Sequence, residues 1–526
     1  MTIVLCTLFL RALRLIIFNL GISATVITFP LRVGCYYIEF SFILDRISIS
    51  GVCLVLFISF CVFLFSQRYM GGDVNNVRFI LILAGFVLSM LILLVRNSIP
   101  SLLVGWDGLG VTSFLLIVYY DRKTNNRSGL ITFTINRFGD AVLIGTLIFF
   151  LAGGNLSVGV GFRSLVVISY CIIAMTKRAQ YPFSIWLPLA IDAPTPVSAL
   201  VHRRTLVTAG LFLLARLRPE GLNIYLLVVG GITLCVGGFC AVFSSDLKKL
   251  IANSTLSNLG LIMFVLSLSN KSLILFHLFS HALFKAGLFI TAGAILINRF
   301  GAQDRRALYG GAKNRPILGS ILRVFFISSM GLFFTSAFFS KHQIALLRQG
   351  NSVNLLVLIT VVLGVVFTVL YRLRFRFIIL REKLNLAIRS QIPMLVVGSI
   401  SFLATSSILF GNLACRNLLL RNFSFEIPLN QIIVIRLFFF FALSNSLRRN
   451  NGVSMFQMDT VIDSFTALGY YIQRFQQTDI GYGRLEAKAF LEKMQVLAGA
   501  STGVLSPSRV NLTILIIGRC LILLFM

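Results

Sequence analysis

The sequence predicts an all-α polytopic membrane protein of about fifteen transmembrane helices, and three observations lead there. Hydrophobic residues fill 57% of the 526 positions and charged residues only 12%, about half the share of charge typical of a soluble globular chain. Mean hydropathy is +0.92. Apolar stretches of spanning length recur from end to end, and none shows the strict alternation of the roughly ten-residue strands of an outer-membrane barrel.

In chain order, residues 1–77 hold the first expected spans, near 4–24 and 47–66. The amino terminus runs almost directly into an apolar helix, with no Arg/Ser-rich amphipathic presequence ahead of it. Residues 78–217 hold spans near 78–97, 99–120, 130–152, 164–190 and 195–217, with short polar connectors at 67–78 and 121–129. The 164–190 segment is expected to break, because Pro182 and Pro188 remove backbone donors just after Lys177. Residues 218–372 hold spans near 223–243, 246–267, 271–297, 318–345 and 353–371. Here the 318–345 segment carries Gly331 and then Phe338-Phe339-Ser340-Lys341-His342. Non-helical backbone at membrane depth is tolerated where protein buries it or where it lines water, as in transporters built from repeats. Two interrupted segments, each with a lysine, therefore point to a duplicated transport unit. Residues 373–448 add spans near 392–411 and 430–447. From 449 to 509 the chain turns polar, yet Val461, Phe465, Leu468, Ile472 and Phe475 keep helical spacing. That pattern fits an amphipathic helix lying along a membrane or a neighbouring subunit. Residues 510–526 form a last apolar segment.

The chemistry is concentrated in titratable groups inside these apolar runs. His277, His281 and Lys285 stand at i, i+4 and i+8, which places them on one helix face over roughly 12 Å of axis. Ionisable groups at bilayer depth are costly and usually mark an ion or proton route. Asp107 stands in Leu103-Val104-Gly105-Trp106-Asp107-Gly108; a lone buried carboxylate is neutralised or paired, and Lys177 is its natural partner by type. At ~7 Å and an effective dielectric constant of about 20, that pair would be coupled by about 2 kcal/mol, enough for one charge to alter the other's proton affinity. Asp140 has Arg137 one turn away, so a local ion pair and a functional role are both open. His202 follows the Pro194/Pro196 break, and an imidazole titrates near neutrality. Lys248 follows Asp246 at the mouth of a span, where an interfacial anchor is the plainer reading and a relay role the sharper one. Lys341 and His342 close the set. Lysine suits such work because a buried amine gives up its proton readily, whereas a guanidinium stays charged.

Other functions have less support. The nine cysteines include no CxxC pair and no Cys/His cluster of metal spacing, and no glycine-rich phosphate loop follows a strand. Nucleotide, flavin, iron–sulfur and metal sites in this chain are therefore not expected. The formal net charge of +30 could suggest nucleic acid or anionic lipid, yet Arg11, Arg14, Arg203 and Arg204 sit within apolar runs rather than in one basic patch, which argues against nucleic acid.

The run AMTKRAQYPFSIWLP at 174–188, continuing through Ala193-Pro194-Thr195-Pro196 to His202, closely resembles the antiporter-like membrane subunits of respiratory complex I. With the His277/His281/Lys285 block, Ser340-Lys341 and the carboxy-terminal extension, the chain is most similar to their distal member, well over roughly residues 40–375. The resemblance implies two inverted five-helix repeats with broken helices at Lys177 and Lys341, and an Asp107–Lys177 pair. It also implies a hydrated axis through His202, His277, His281, Lys285 and Lys341, and a lateral helix with a distant anchoring span. NADH, FMN, iron–sulfur clusters and ubiquinone would belong to other subunits. The partners implied are the other membrane subunits, above all the sibling antiporter-like chains 4 and 2, and lipids. The place implied is the inner mitochondrial membrane, with the gene in the organelle.

Departures from the family pattern are as informative. His342 stands where the family has aspartate, and Arg178, Arg203 and Arg204 stand where it has serine, with Arg372 and Arg305 similar. A central arginine costs roughly 2.5–3.5 kcal/mol on insertion scales, so the expectation is that some of these are serine codons read with the wrong organellar code. Two rival readings remain: the large subunit of a multi-subunit Na⁺/H⁺ antiporter, and a structural membrane scaffold whose buried charges are static.

Overall fold

The computed structural model describes residues 2–417 other than 19–24, 34–35, 153–159, 201–209, 211, 215–222, 245, 268–270, 298–300, 302, 304–315, 332–334, 347–354 and 381–393. All of them lie in one unit, Met1–Ser424. His202, Arg203, Arg204, Arg305, the expected span at 430–447, the lateral helix region 449–509 and the anchoring segment 510–526 lie outside the described residues.

Helix predominates, as the composition requires. The elements are α1 (Thr2–Phe18), α2 (Arg46–Tyr69), α3 (Asn76–Val95), α4 (Ile99–Ile117), α5 (Lys123–Ala152), α6 (Val160–Lys177), α7 (Trp186–Leu189) and α8 (Thr195–Leu200). After them come α9 (Asn223–Phe243), α10 (Leu247–Ser267), α11 (Lys271–Ile297), α12 (Pro316–Met330), α13 (Ser336–Leu346), α14 (Leu355–Leu380) and α15 (Met394–Asn417). Among the described residues, seven helices are long and apolar enough to cross a membrane.

Among the described residues, the all-α expectation fails at one place. Strands β1 (Thr25–Val33) and β2 (Tyr36–Leu44) pair antiparallel, with Thr25 opposite Leu44 and Val33 opposite Tyr36. The cause is local: TVITFPLRV and YYIEFSFIL are rich in β-branched and aromatic residues, which favour extended backbone. The expected first span at 4–24 is represented by α1 over Thr2–Phe18, and its remainder at 19–24 lies outside the described residues. The hairpin also holds the start of α4. The Ser41 carbonyl accepts from the Asn97 amide at 2.9 Å and from Ser101 Oγ at 3.1 Å, and the Ser41 amide donates to Ser98 Oγ at 3.0 Å. Ser98 is the N-cap of α4, so β2 anchors the helix that carries Trp106 and Asp107.

At the centre is α11, which is buried from Leu273 to Leu296 and emerges at Ile297. Close packing there needs small residues: a Cβ on Gly293 would lie 3.0 Å from Thr195 Oγ1 on α8 and 2.9 Å from Phe65 on α2. Helix α9 uses two glycine pairs on adjacent faces. A Cβ on Gly230 or Gly237 would come within 2.7 Å of the Phe264 amide or 2.6 Å of the Ser257 amide on α10, while one on Gly238 would press on Phe367 of α14 at 2.7 Å. Membrane helices gain little from hydrophobicity when they associate, so backbone approach of this kind supplies the packing. Gly237→Ala is therefore expected to destabilise the purified protein by about 1–3 kcal/mol. Gly145→Ala, with nothing within 4 Å of the added carbon, is expected to be neutral or to stabilise by up to about 1 kcal/mol. Thermal unfolding in lipid nanodiscs measures both.

Candidate functional site

The first broken helix ends as its prolines predict. Helix α6 stops at Lys177, and Ala179 takes a left-handed φ of 53°. The Gln180 amide then donates to the Met175 carbonyl at 3.1 Å and the Ala179 amide to the Thr176 carbonyl at 3.4 Å, the paired bonds of a Schellman-type terminus. Trp186 Nε1 donates to the same Thr176 carbonyl at 2.9 Å, folding α7 back on the helix end. Lys177 is thus the last residue of a half-helix, beside the negative end of its dipole. Its side chain is 1% exposed.

Its carboxylate partner is Asp140. Lys177 Nζ lies 3.4 Å from Asp140 Oδ1, and Trp106 Nε1 donates to that same oxygen at 2.8 Å. The amine also sits over the Trp106 ring, 5.1 Å from its centroid, a desolvated cation–π contact of about 2 kcal/mol. The expected direct pairing of Lys177 with Asp107 is corrected: Asp107 binds Arg137, with Nη1 to Oδ1 at 3.1 Å, and Arg137 Nη1 in turn lies 3.6 Å from Asp140 Oδ2. The reason is helix geometry. Trp106 takes the inward position and is buried, so the next residue is rotated about 100° away, leaving the Asp107 side chain 48% exposed. The result is a graded row, Asp107–Arg137–Asp140–Lys177, running from half-exposed to buried. At 3.4 Å and an effective dielectric constant of about 20 the inner pair attracts by about 5 kcal/mol, while exposed pairs contribute about 0–1 kcal/mol. The inner pair dominates.

The second cluster lies on α11 and around the second break. His277, His281 and Lys285 share one face, as their spacing predicts, and all are buried; the two imidazole centroids are 6.5 Å apart. Lys285 Nζ donates to Ser254 Oγ on α10 at 2.5 Å. Helix α12 ends at Met330, and Gly331 follows at φ 78°, a conformation that favours glycine. From α13, Lys341 reaches back to donate to the Ser329 carbonyl at 3.0 Å. That carbonyl belongs to the last turn of α12, whose acceptors lack helical partners. Both lysines therefore sit at the carbonyl end of an interrupted helix, Lys177 with a carboxylate and Lys341 on a backbone oxygen. His277 Nδ1 lies 2.8 Å from Ser340 Oγ on α13. His342 also belongs to α13. At the start of α10, Lys249 carries the surface role, pairing with Asp246 at 2.9 Å, while Lys248 is buried; the anchor reading of Lys248 is corrected.

Several polar groups were not anticipated from sequence. Gln180 is fully buried and accepts from Thr233 Oγ1 of α9 at 2.6 Å. Buried Ser254 and Asn258 line α10, with Asn258 Nδ2 on the Ser254 carbonyl at 2.7 Å. Serine, threonine and glutamine are too common in apolar helices for spacing alone to mark them. The reverse case is Arg178, which is buried against Met263 Sδ, with Nε and Nη2 lacking any acceptor among the described residues. Arg372 is buried too, its Nη1 unpartnered among them and its Nη2 3.4 Å from the Tyr371 hydroxyl.

Both the sequence and the fold have known relatives. Residues 96–368 match the model of the NADH:quinone oxidoreductase/Mrp antiporter transmembrane family, and residues 31–80 match that of the complex I (NADH-ubiquinone oxidoreductase) chain 5 N-terminus. NADH-ubiquinone oxidoreductase chain 5 of Aedes aegypti is 42% identical over 319 residues, 58% of this chain and 55% of the relative. The protein of the same name from Anopheles arabiensis is 40% identical over 329 residues, 60% of this chain and 86% of the relative. The match thus spans little more than half the length of the first of these relatives. A chain of the membrane-bound sulfane sulfur reductase, an archaeal respiratory membrane complex, superposes with a TM-score of 0.76 at 19% identity, covering 100% of this chain and 95% of that one. At that identity the likeness is one of fold.

Proposed function

Since the chain belongs to the NADH:quinone oxidoreductase/Mrp antiporter transmembrane family, we propose that it is the distal proton-translocating membrane subunit of NADH:ubiquinone oxidoreductase. In this reading it couples quinone reduction in other subunits to proton movement through its own lysines, histidines and acids. The observation that carries the reading is the buried Lys177–Asp140 pair at the end of a broken helix, joined through Arg137 to a half-exposed acid. Such a row converts a change of charge at its outer end into a change at its inner end. When a neighbouring cation takes Asp107, Arg137 turns wholly to Asp140, and the hold of Asp140 on Lys177 weakens. Lys177 then passes its proton inward, and His202, the α11 stripe and Lys341 are loaded and emptied in turn. In the same reading, buried Gln180, Thr233 and Ser254, beside the glycine-lined contact of α9 and α10, would carry a polar path between the halves.

The finer architecture belongs to the same proposal: about fifteen spans, two inverted five-helix repeats at 78–217 and 218–372, and a carboxy-terminal helix running along chains 4 and 2 to an anchoring span. So do the inner mitochondrial membrane as its place and the confinement of NADH, FMN, iron–sulfur clusters and ubiquinone to partner subunits. Native mass spectrometry of the detergent-extracted assembly, followed by reconstitution into liposomes, tests this reading. Redox subunits are expected to co-purify, and NADH oxidation with a quinone is expected to acidify one compartment without sodium. Sodium-driven proton exchange in the absence of NADH would instead make the chain an antiporter subunit.

A further inference from the structure

His277 and Ser340 meet across α11 and α13 at 2.8 Å through Nδ1 and Oγ. Ser340 Oγ also lies 3.1 Å from the Ala337 carbonyl of its own helix, to which it donates. A hydroxyl has one hydrogen, so donation to the carbonyl leaves the oxygen to accept from His277 Nδ1–H. The far nitrogen points the same way. His277 is 0% exposed, and its Nε2 has no hydrogen-bond partner among the described residues. Were the proton on Nε2, a buried N–H would be left without an acceptor, at a cost of about 1–3 kcal/mol. A bare acceptor nitrogen is the cheaper state, since unsatisfied acceptors are tolerated better than unsatisfied donors.

We propose that Ser340 is a positioning residue of the proton path: it fixes neutral His277 as the Nδ1–H tautomer and so reserves Nε2 as the one atom that takes up and releases the proton. This rests on the proposed transport function. The step is simple in its balance. A proton adds to the Nε2 lone pair to give the imidazolium, Nδ1–H stays on Ser340, and the same proton later leaves from Nε2. No proton passes through the ring, because among the described residues the onward hydrogen bond of Ser340 goes to a backbone carbonyl. His277 is therefore a station that fills and empties from one side.

Infrared difference spectra of the assembled complex with isotopically labelled histidine, wild type against variant, test the assignment, with His277→Gln identifying the bands of this ring. Ser340→Ala and the near-isosteric Ser340→Cys are expected to move the tautomer ratio roughly tenfold toward Nε2–H and to slow NADH-driven proton translocation by a similar factor. Ser340→Thr, which keeps the hydroxyl, is expected to restore both. Unmoved bands in both Ser340→Ala and Ser340→Cys would overturn the proposal, as would a shifted tautomer with translocation intact. Wild-type complex that shows no NADH-driven translocation would instead defeat the transport reading, with the bands still reporting the Ser340 contact.

Discussion

Asp140→Asn is expected to cut NADH-driven proton translocation at least about tenfold and to destabilise the protein by about 3–5 kcal/mol, the cost of leaving one member of a buried ion pair alone. The acid holds Lys177 at 3.4 Å and the Trp106 indole at 2.8 Å, and its side chain is 6% exposed. Its burial leaves little solvent to screen the charge that remains. Asp107→Asn breaks a pair whose side chains are 48% and 40% exposed, so its direct effect on stability is expected to stay within about 1 kcal/mol. The double variant Asp140→Asn/Lys177→Met removes both buried charges and is expected to recover most of the stability while remaining unable to pump. That split separates transport from scaffolding, because static buried charges would return function together with stability. Denaturation of each variant and proton flux in liposomes measure the two sides.

Tandem mass spectra of peptides covering positions 178 and 372, taken from the native membrane, are expected to read serine at both. The surroundings carry the argument. Arg178 is wedged between Met263 and the small residues Ala174 and Gly210, where a Cβ on Gly210 would lie 3.0 Å from its Cγ. No carboxylate forms an ion pair with it among the described residues. Arg137, by contrast, meets two acids. An unpaired buried ion costs several kcal/mol, so Arg178→Ser in a chain translated as written is expected to stabilise by about 3 kcal/mol or more. Guanidinium-bearing peptides at both positions would end the misread-codon explanation and with it the account of the +30 charge.

Much of this was legible before any coordinates. Hydropathy alone placed α2, α3, α9, α10 and α11 within a few residues, because long apolar runs have no other stable form in a bilayer. The breaks after Lys177 and at Gly331 followed from proline and glycine chemistry, and the α11 stripe from helical period. What stayed hidden depended on rotation. Whether Asp107 or Asp140 meets Lys177 is decided by which way α4 turns when Trp106 packs inward, and no local pattern encodes that. The hairpin at 25–44 stayed hidden for a different reason: it lies between the stretches that hydropathy marks as spans, and hydropathy carries no information on strand pairing.

The enclosure of α11 has one more consequence. His281 is buried among protein side chains, so a proton carried there in the proposed reading would enter and leave sideways, past another helix. In the proposed transport reading, this enclosure insulates the carrier against short circuits across the bilayer. Its valves must then be the surrounding helices, and a neighbour that loosens by even one side chain turns the machine from a pump into a leak.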